Sequence, residues 1–68
     1  MDWNAIVAVN VRRLRIERKL TQEQLAHDVG IDLTYLGGIE RARRNPSVAV
    51  VGRLADVLAV HPGTLFDK

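Results

Sequence analysis

Apolar residues recur every three or four positions along most of this 68-residue chain, the spacing of one face of an α-helix. In the first such stretch, about residues 3–19, the pattern is carried by Val7, Val11 and Leu14, and Asp2 precedes it as a plausible N-cap. No stretch shows the sustained alternation that is typical of a β-strand. The pattern predicts an all-α fold, a compact bundle of five helices.

Capping and turn residues divide the next part of the chain, residues 21–41. Thr21 and Gln24 have capping-box spacing, Gly30 suits a turn with positive φ, and Asp32 is a plausible second N-cap. These signals predict two short helices joined by a tight turn, with inward-facing Leu25, Ala26, Val29, Leu36 and Ile39. A helix-turn-helix has this plan, and it carries its second helix into the major groove of DNA.

A break at residues 45–47 precedes a fourth helix. Pro46 disfavours helix at the residue before it, and Ser47 is a good N-cap. The inward stripe of this helix is predicted to be Val48, Val51, Leu54, Ala55 and Leu58. His61 and Pro62 then open a short fifth helix that returns Leu65 and Phe66 to the body.

Three apolar residues near the C-terminus lie off that stripe. Val50 and Val57 are seven residues apart, and together with Phe66 they predict an exposed apolar patch that serves as a subunit interface. The alternative is that these are scattered surface residues. The interface hypothesis predicts a homodimer.

Length and composition limit the remaining possibilities. The chain is predicted to be a single domain over residues 1–68, with no cysteine for a disulfide or a thiolate metal site. No apolar run approaches the roughly 20 residues of a membrane helix, and no signal-peptide pattern is present. We therefore expect a cytoplasmic protein without a membrane partner.

The net charge of +2 conceals an uneven distribution. One basic cluster precedes the helix-turn-helix segment and another follows it: Arg12, Arg13, Arg15, Arg18 and Lys19, then Arg41, Arg43 and Arg44. Either cluster alone is compatible with a solvated surface. Because phosphate binding needs cations around the reading helix, the two together favour a partner of double-stranded DNA.

The predicted reading helix, residues 33–41, has an outward face opposite Leu36 and Ile39. We expect base contacts from this face, by Leu33, Thr34, Tyr35 and Gly38. The Tyr35 hydroxyl is also a candidate phosphate ligand. The structural alternatives are a Leu33 packed on the preceding helix, an ordinary half-buried Tyr35, and glycines that allow tight helix packing.

Phosphate contacts are predicted around this face. Gln22 lies in the first turn of the second helix, where backbone N–H groups attract anions, and arginines grip phosphates with paired hydrogen bonds. The candidates are Gln22, Arg41, Arg43 and Arg44, although Gln22 is alternatively a plain surface residue. Arg15 and Glu40 are a further hypothesis: an ion pair that links the first and third helices.

The chain lacks the usual equipment of an enzyme. Its one serine, Ser47, is needed as a cap, and His27 and His61 are predicted on an exposed helix face and in a turn. No carboxylates have metal-ligand spacing. We therefore expect no catalysis, no cofactor, no metal and no small-molecule ligand.

The sequence resembles the phage-repressor and Cro-like, or XRE, helix-turn-helix family over about residues 7–66. The resemblance is carried by Leu20-Thr21-Gln22-Glu23-Gln24-Leu25-Ala26, Val29-Gly30-Ile31, Ile39-Glu40-Arg41 and Arg44-Asn45-Pro46-Ser47. The stretch Asp32-Leu33-Thr34-Tyr35-Leu36, with Arg44-Asn45-Pro46, is similar to a subgroup of small stand-alone regulators that includes the controller proteins of restriction–modification systems.

This resemblance implies a transcriptional regulator that binds a palindromic operator as a homodimer, often dimerising through its C-terminal end. It also implies base contacts at the face described above, backbone contacts near Arg41, Arg43 and Asn45, and the Arg15–Glu40 pair. An antitoxin-type or other protein-interaction module with the same fold is the alternative function.

Three positions depart from the family pattern. Leu33 stands where a polar or basic residue is usual, and Gly37 replaces a frequent serine. Ala42 stands where glycine is common, which predicts either a strained left-handed residue or a different turn into the basic segment.

Overall fold

Four α-helices and one 3-10 helix surround a single core in the computed structural model, which describes residues 1–68. They are α1 (Trp3–Glu17), α2 (Gln22–Val29), α3 (Leu33–Glu40), α4 (Val48–Leu58) and the 3-10 helix Pro62–Phe66. The all-α prediction is confirmed, but the fifth helix is a 3-10 helix and not an α-helix. Such helices are commonly short connectors of this kind. None of the helices is long and apolar enough to span a bilayer.

Side-chain caps fix the starts of the four α-helices. Asp2 accepts a hydrogen bond from the Ala5 N–H, and Ser47 accepts one from the Val50 N–H. Thr21 and Gln24 form the predicted capping box in both directions, at 3.0 and 2.8 Å. Asp32 caps α3 through the Thr34 N–H. The predicted starts are therefore confirmed, because each depends on a contact within a few residues.

The end of α1 differs from the prediction by two residues. The helix ends at Glu17, and Lys19 takes a left-handed conformation with φ of 58°. The Leu20 N–H then donates to the Arg15 carbonyl at 3.1 Å, and the Arg15 guanidinium donates to the Leu20 carbonyl at 2.9 Å. This tight turn directs the chain into α2.

The core draws on every element. Its fully buried large side chains are Val11, Leu25, Leu36, Ile39, Leu54, Leu58 and Leu65. Leu36 and Ile39 are the inward residues predicted for α3, and the exposed residues of that helix are at its start, Leu33 and Thr34. The helix-turn-helix is thus supported from behind by α1, α4 and the 3-10 helix.

The inward stripe of α4 was predicted in the wrong phase at its start. Val50, expected at a subunit interface, is 5% exposed and belongs to the core, whereas Val48, expected inside, is 91% exposed. Val48 has helical spacing to Val51 and Ala55, and Val50 has it to Leu54 and Leu58, so periodicity alone did not separate them. Val48 is the first residue after the Ser47 cap and extends beyond the packed part of the helix.

A buried asparagine joins the two ends of the chain. The Asn10 amide donates to the Leu65 carbonyl at 3.0 Å and to the Asp67 carbonyl at 2.8 Å. It thereby fixes the 3-10 helix against α1. This role was not predicted, because the partners of Asn10 are backbone atoms more than fifty residues away in the chain.

Candidate nucleic-acid interface

The turn between α2 and α3 sets the direction of the reading helix. Gly30 ends α2 in a left-handed conformation with φ of 81°, and the Ile31 N–H donates to the Ala26 carbonyl at 3.0 Å. Only glycine takes this conformation without steric cost. Asp32 caps α3 two residues later, so little freedom remains between the helices.

A polar network holds α3 against α1 and α2. The Arg15 guanidinium donates to both carboxylate oxygens of Glu40, at 2.8 and 3.0 Å, and the Gln22 amide donates to Glu40 at 3.0 Å. The structure thus brings together the proposed pair and the proposed phosphate ligand. An amide carries two N–H groups, so Gln22 retains one donor beyond this network.

The start of α3 lies at an open groove. Leu33 is 42% exposed and Thr34 is also exposed. Leu33 lines the groove together with residues of α1, of α2 and its cap, and of the end of α3: Arg12, Arg15, Thr21, Gln22, Glu23 and Arg41. Leu33 is therefore not packed away beneath α2, and it shares a surface with Gln22 and Arg41. The position of Arg12 in this groove was not predicted individually, because several arginines of α1 compete for it in the sequence.

Tyr35 makes its polar contacts within the chain. The side chain is half-buried, and its hydroxyl donates to the Asn45 carbonyl at 3.0 Å and accepts from the Ser47 N–H at 3.1 Å. The Arg44 guanidinium carbon lies 5.0 Å from the centre of the Tyr35 ring. In this conformation the hydroxyl is not presented to a phosphate.

The two glycines of α3 lie beneath arginine side chains. A Cβ atom on Gly37 would be 3.1 Å from Nη1 of Arg41, and one on Gly38 would overlap Cγ of Arg44. Gly38, expected to face bases, is instead buried and covered by Arg44. Gly38 is covered because the segment after α3 folds back along this face of the helix.

That segment, residues 41–47, is named here the basic loop. Arg41, Arg43, Arg44 and Asn45 are all exposed, and the ion pairs of the protein involve none of these arginines. Ala42 adopts the left-handed conformation that its departure from the family pattern predicted as one option, with φ of 60°. The basic loop therefore places three uncompensated cations beside α3.

Of the three residues expected at a subunit interface, Val50 is in the core, which leaves Val57 and Phe66. Phe66 is 39% exposed and meets Trp3 edge-on, with ring centres 6.3 Å apart. Trp3 is itself 49% exposed, and its part in this surface was missed because it lies at the other end of the sequence. Val57 is half-buried against the core. The exposed apolar surface is thus built from both chain ends.

The chain is similar to known transcriptional regulators. A helix-turn-helix family model matches residues 11–65. An uncharacterized HTH-type transcriptional regulator, y4dJ of Sinorhizobium fredii, is 43% identical over 60 residues, which are 88% of this chain and 78% of the relative. Control protein C.SmaI of Serratia marcescens is 43% identical over 58 residues, 85% of this chain and 69% of the relative.

The fold is also that of a solved controller protein. The restriction-modification controller protein C.AhdI from Aeromonas hydrophila superposes with a TM-score of 0.89 and 38% identity, covering 93% of this chain and 96% of that one. The chain therefore belongs to the helix-turn-helix family and is a DNA-binding transcriptional regulator.

Proposed function

We propose that the protein binds a palindromic operator as a homodimer, with α3 in the major groove of each half-site. The observation that carries this proposal is the groove at the start of α3. There the exposed Leu33 lies between the first turn of α2 and two arginines that have no acidic partner, Arg12 and Arg41. The exposed Thr34 is the next residue of α3. A DNA-binding surface needs base-reading groups and phosphate-binding groups side by side.

The proposed contacts divide into two classes. Thr34 donates or accepts a hydrogen bond at a base edge, while Leu33 and the edge of the Tyr35 ring approach thymine methyl groups. Gln22, Arg41, Arg43, Arg44 and Asn45 contact the phosphates. With so few polar side chains to read bases, part of the sequence preference depends on DNA shape and on half-site spacing.

The dimer proposal rests on the exposed aromatic pair. Trp3 and Phe66 leave apolar surface uncovered on a small protein. Val57 is half-buried on α4, which packs against the 3-10 helix of Phe66. A second copy of the chain would cover this surface, and a two-fold axis there would present two reading helices to one DNA duplex. Half-sites centred about 34 Å apart, one turn of DNA, are then expected.

Selection of bound duplexes from random-sequence DNA tests the proposal. The expected result is a two-fold symmetric site with half-sites about one DNA turn apart. Thr34→Ala should change the preferred base at one position in each half-site, whereas Arg43→Ala should weaken selected and scrambled duplexes alike. Selection that yields no common site, or a Thr34→Ala variant with an unchanged profile, would contradict it.

A further inference from the structure

The basic loop is attached to α3 at two points on one face of that helix. At its start, the N–H groups of Arg43 and Arg44 both donate to the Gly38 carbonyl, at 2.8 and 3.2 Å. At its end, the Tyr35 hydroxyl bonds the backbone of Asn45 and Ser47. Tyr35 and Gly38 are three residues apart in the helix and therefore neighbours on its surface.

The chemistry of the second attachment suits a hydroxyl in particular. Pro46 has no N–H to contribute. The backbone therefore offers an acceptor before the proline, the Asn45 carbonyl, and a donor after the proline, the Ser47 N–H. A hydroxyl both donates and accepts, and Tyr35 uses both capacities here. Because Ser47 also caps α4, this one side chain links α3, the basic loop and the next helix.

The first attachment depends on the absence of a side chain at residue 38. Arg44 lies across Gly38 with Cβ 3.2 Å from the position that a Cβ of residue 38 would occupy, and its guanidinium group then lies over the Tyr35 ring. A Cβ at residue 38 would also overlap Cγ of Arg44, so the arginine would have to change its χ1 rotamer and move its guanidinium group from the Tyr35 ring. Cβ of Arg44 is fixed to the loop backbone, so its close approach also requires the loop to shift slightly. Gly38 thus allows the loop to lie on the helix.

From these contacts we infer that Tyr35 and Gly38 are positioning residues: they hold the basic loop so that Arg43, Arg44 and Asn45 meet the DNA backbone together. The hydroxyl of Tyr35 acts on DNA binding through the loop and reads no base. This inference rests on the proposed mode of DNA binding and assigns one of its residues a different task. It leaves Leu33 and Thr34 as the principal side chains for base recognition.

The test compares Tyr35→Phe with the wild type, using a duplex selected from random DNA and a scrambled duplex of equal length. Loss of the hydroxyl should lower affinity for both duplexes by the same factor, about five-fold for one net hydrogen bond. It should also make the dependence of affinity on salt less steep, because fewer phosphates are contacted. A changed base preference would overturn the inference.

A double-variant comparison separates action through the loop from direct contact. In a background carrying Arg43→Ala and Arg44→Ala, the further change Tyr35→Phe should have a much smaller effect, since only Asn45 remains of the three residues that it positions. An undiminished five-fold loss in that background would show that the hydroxyl contacts DNA itself. Arg53→Ala, which removes an exposed arginine from α4, is the matched control and should preserve the full effect of Tyr35→Phe.

Gly38→Ala should reproduce the loss of affinity by displacing Arg44, whereas Gly52→Ala should not, because nothing lies within 4 Å of a Cβ at Gly52.

Hydrogen exchange of the Ser47 amide tests the loop attachment without DNA. The amide should be protected in the wild type and should exchange faster in Tyr35→Phe. Equal exchange in both proteins would overturn the loop attachment. Failure of the wild type to select any DNA site would instead overturn the proposed function.

Discussion

Glu40 is the charged residue on which the position of the reading helix depends most. Its side chain is 3% exposed and shares its two oxygens between Arg15 and Gln22. A buried pair gives little net stability, yet removal of one partner leaves the other charge without compensation. The network therefore acts chiefly as an orientation constraint on α3.

We predict that Glu40→Gln lowers the free energy of unfolding by about 3 kcal/mol, since Arg15 is left largely buried without a counter-charge. Urea unfolding measures this change. Glu17→Gln, which breaks the exposed Arg13–Glu17 pair, is the control and should cost less than about 0.5 kcal/mol. Similar losses in the two variants would contradict the assigned importance of Glu40.

Asn10 is a second residue whose value lies in its hydrogen bonds. Asn10→Leu keeps the approximate volume but leaves the Leu65 and Asp67 carbonyls without their donor. We expect a loss of about 2 kcal/mol, because an unsatisfied buried acceptor costs about 1–3 kcal/mol. Thermal unfolding would show it, and an unchanged midpoint would indicate that solvent satisfies these carbonyls.

At the scale of elements, the helix boundaries and most inward residues were predictable, but the start of α4 and the covering of α3 were not. Thr21, Asp32 and Ser47 cap their helices through neighbours two or three residues away, which a sequence displays directly. The inward choice between Val48 and Val50, and the covering of Gly38 by Arg44, depend on how elements pack. Four apolar residues in succession at the start of α4 fit more than one helical face.

Substitutions at two left-handed residues that end helices should change the stability of the protein in opposite directions. Ala59 ends α4 with φ of 57°, and Gly30 ends α2 with φ of 81°. Ala59→Gly should stabilise the protein by about 1 kcal/mol, and Gly30→Ala should destabilise it by a similar amount. The reason is that the left-handed conformation has a steric cost for any residue with a Cβ atom. No atom lies within 4 Å of a Cβ at Gly30, so its cost isolates the backbone.

Thermal midpoints measure both changes, and about 4–8 °C in each direction is expected for a domain of this size. The two variants are each other's control, since one adds a methyl group and the other removes one. A shift of the same sign in both would mean that side-chain contacts, and not backbone conformation, decide the effect.

At the scale of the whole molecule, charge governs how strongly DNA binding responds to salt. Arg12, Arg41, Arg43 and Arg44 have no acidic partner, which gives each protomer four candidate phosphate contacts. If both protomers of a dimer use them, the logarithm of affinity should fall with the logarithm of salt with a slope of about −7. Arg43→Ala should reduce this slope by about 2, as measured by titration at several salt concentrations.

Assembly is the second property of the whole molecule. Phe66→Glu should convert a dimer into a monomer and weaken operator binding, because a charge replaces the exposed ring beside Trp3. Val48→Glu places the same charge at a more exposed apolar residue and should leave the sedimentation mass unchanged. Wild-type protein that sediments as one chain at tens of micromolar would contradict the dimer.

The contact between Trp3 and Phe66 has a practical consequence for such measurements. Trp3 is the only tryptophan of the chain and Tyr35 the only tyrosine. Indole emission therefore reports on the aromatic surface alone, and a fluorinated tyrosine would report on the basic loop alone. Assembly and operator contact can thus be followed as two separate spectroscopic signals in one unmodified backbone, and the order in which they change along a titration gives the sequence of binding steps.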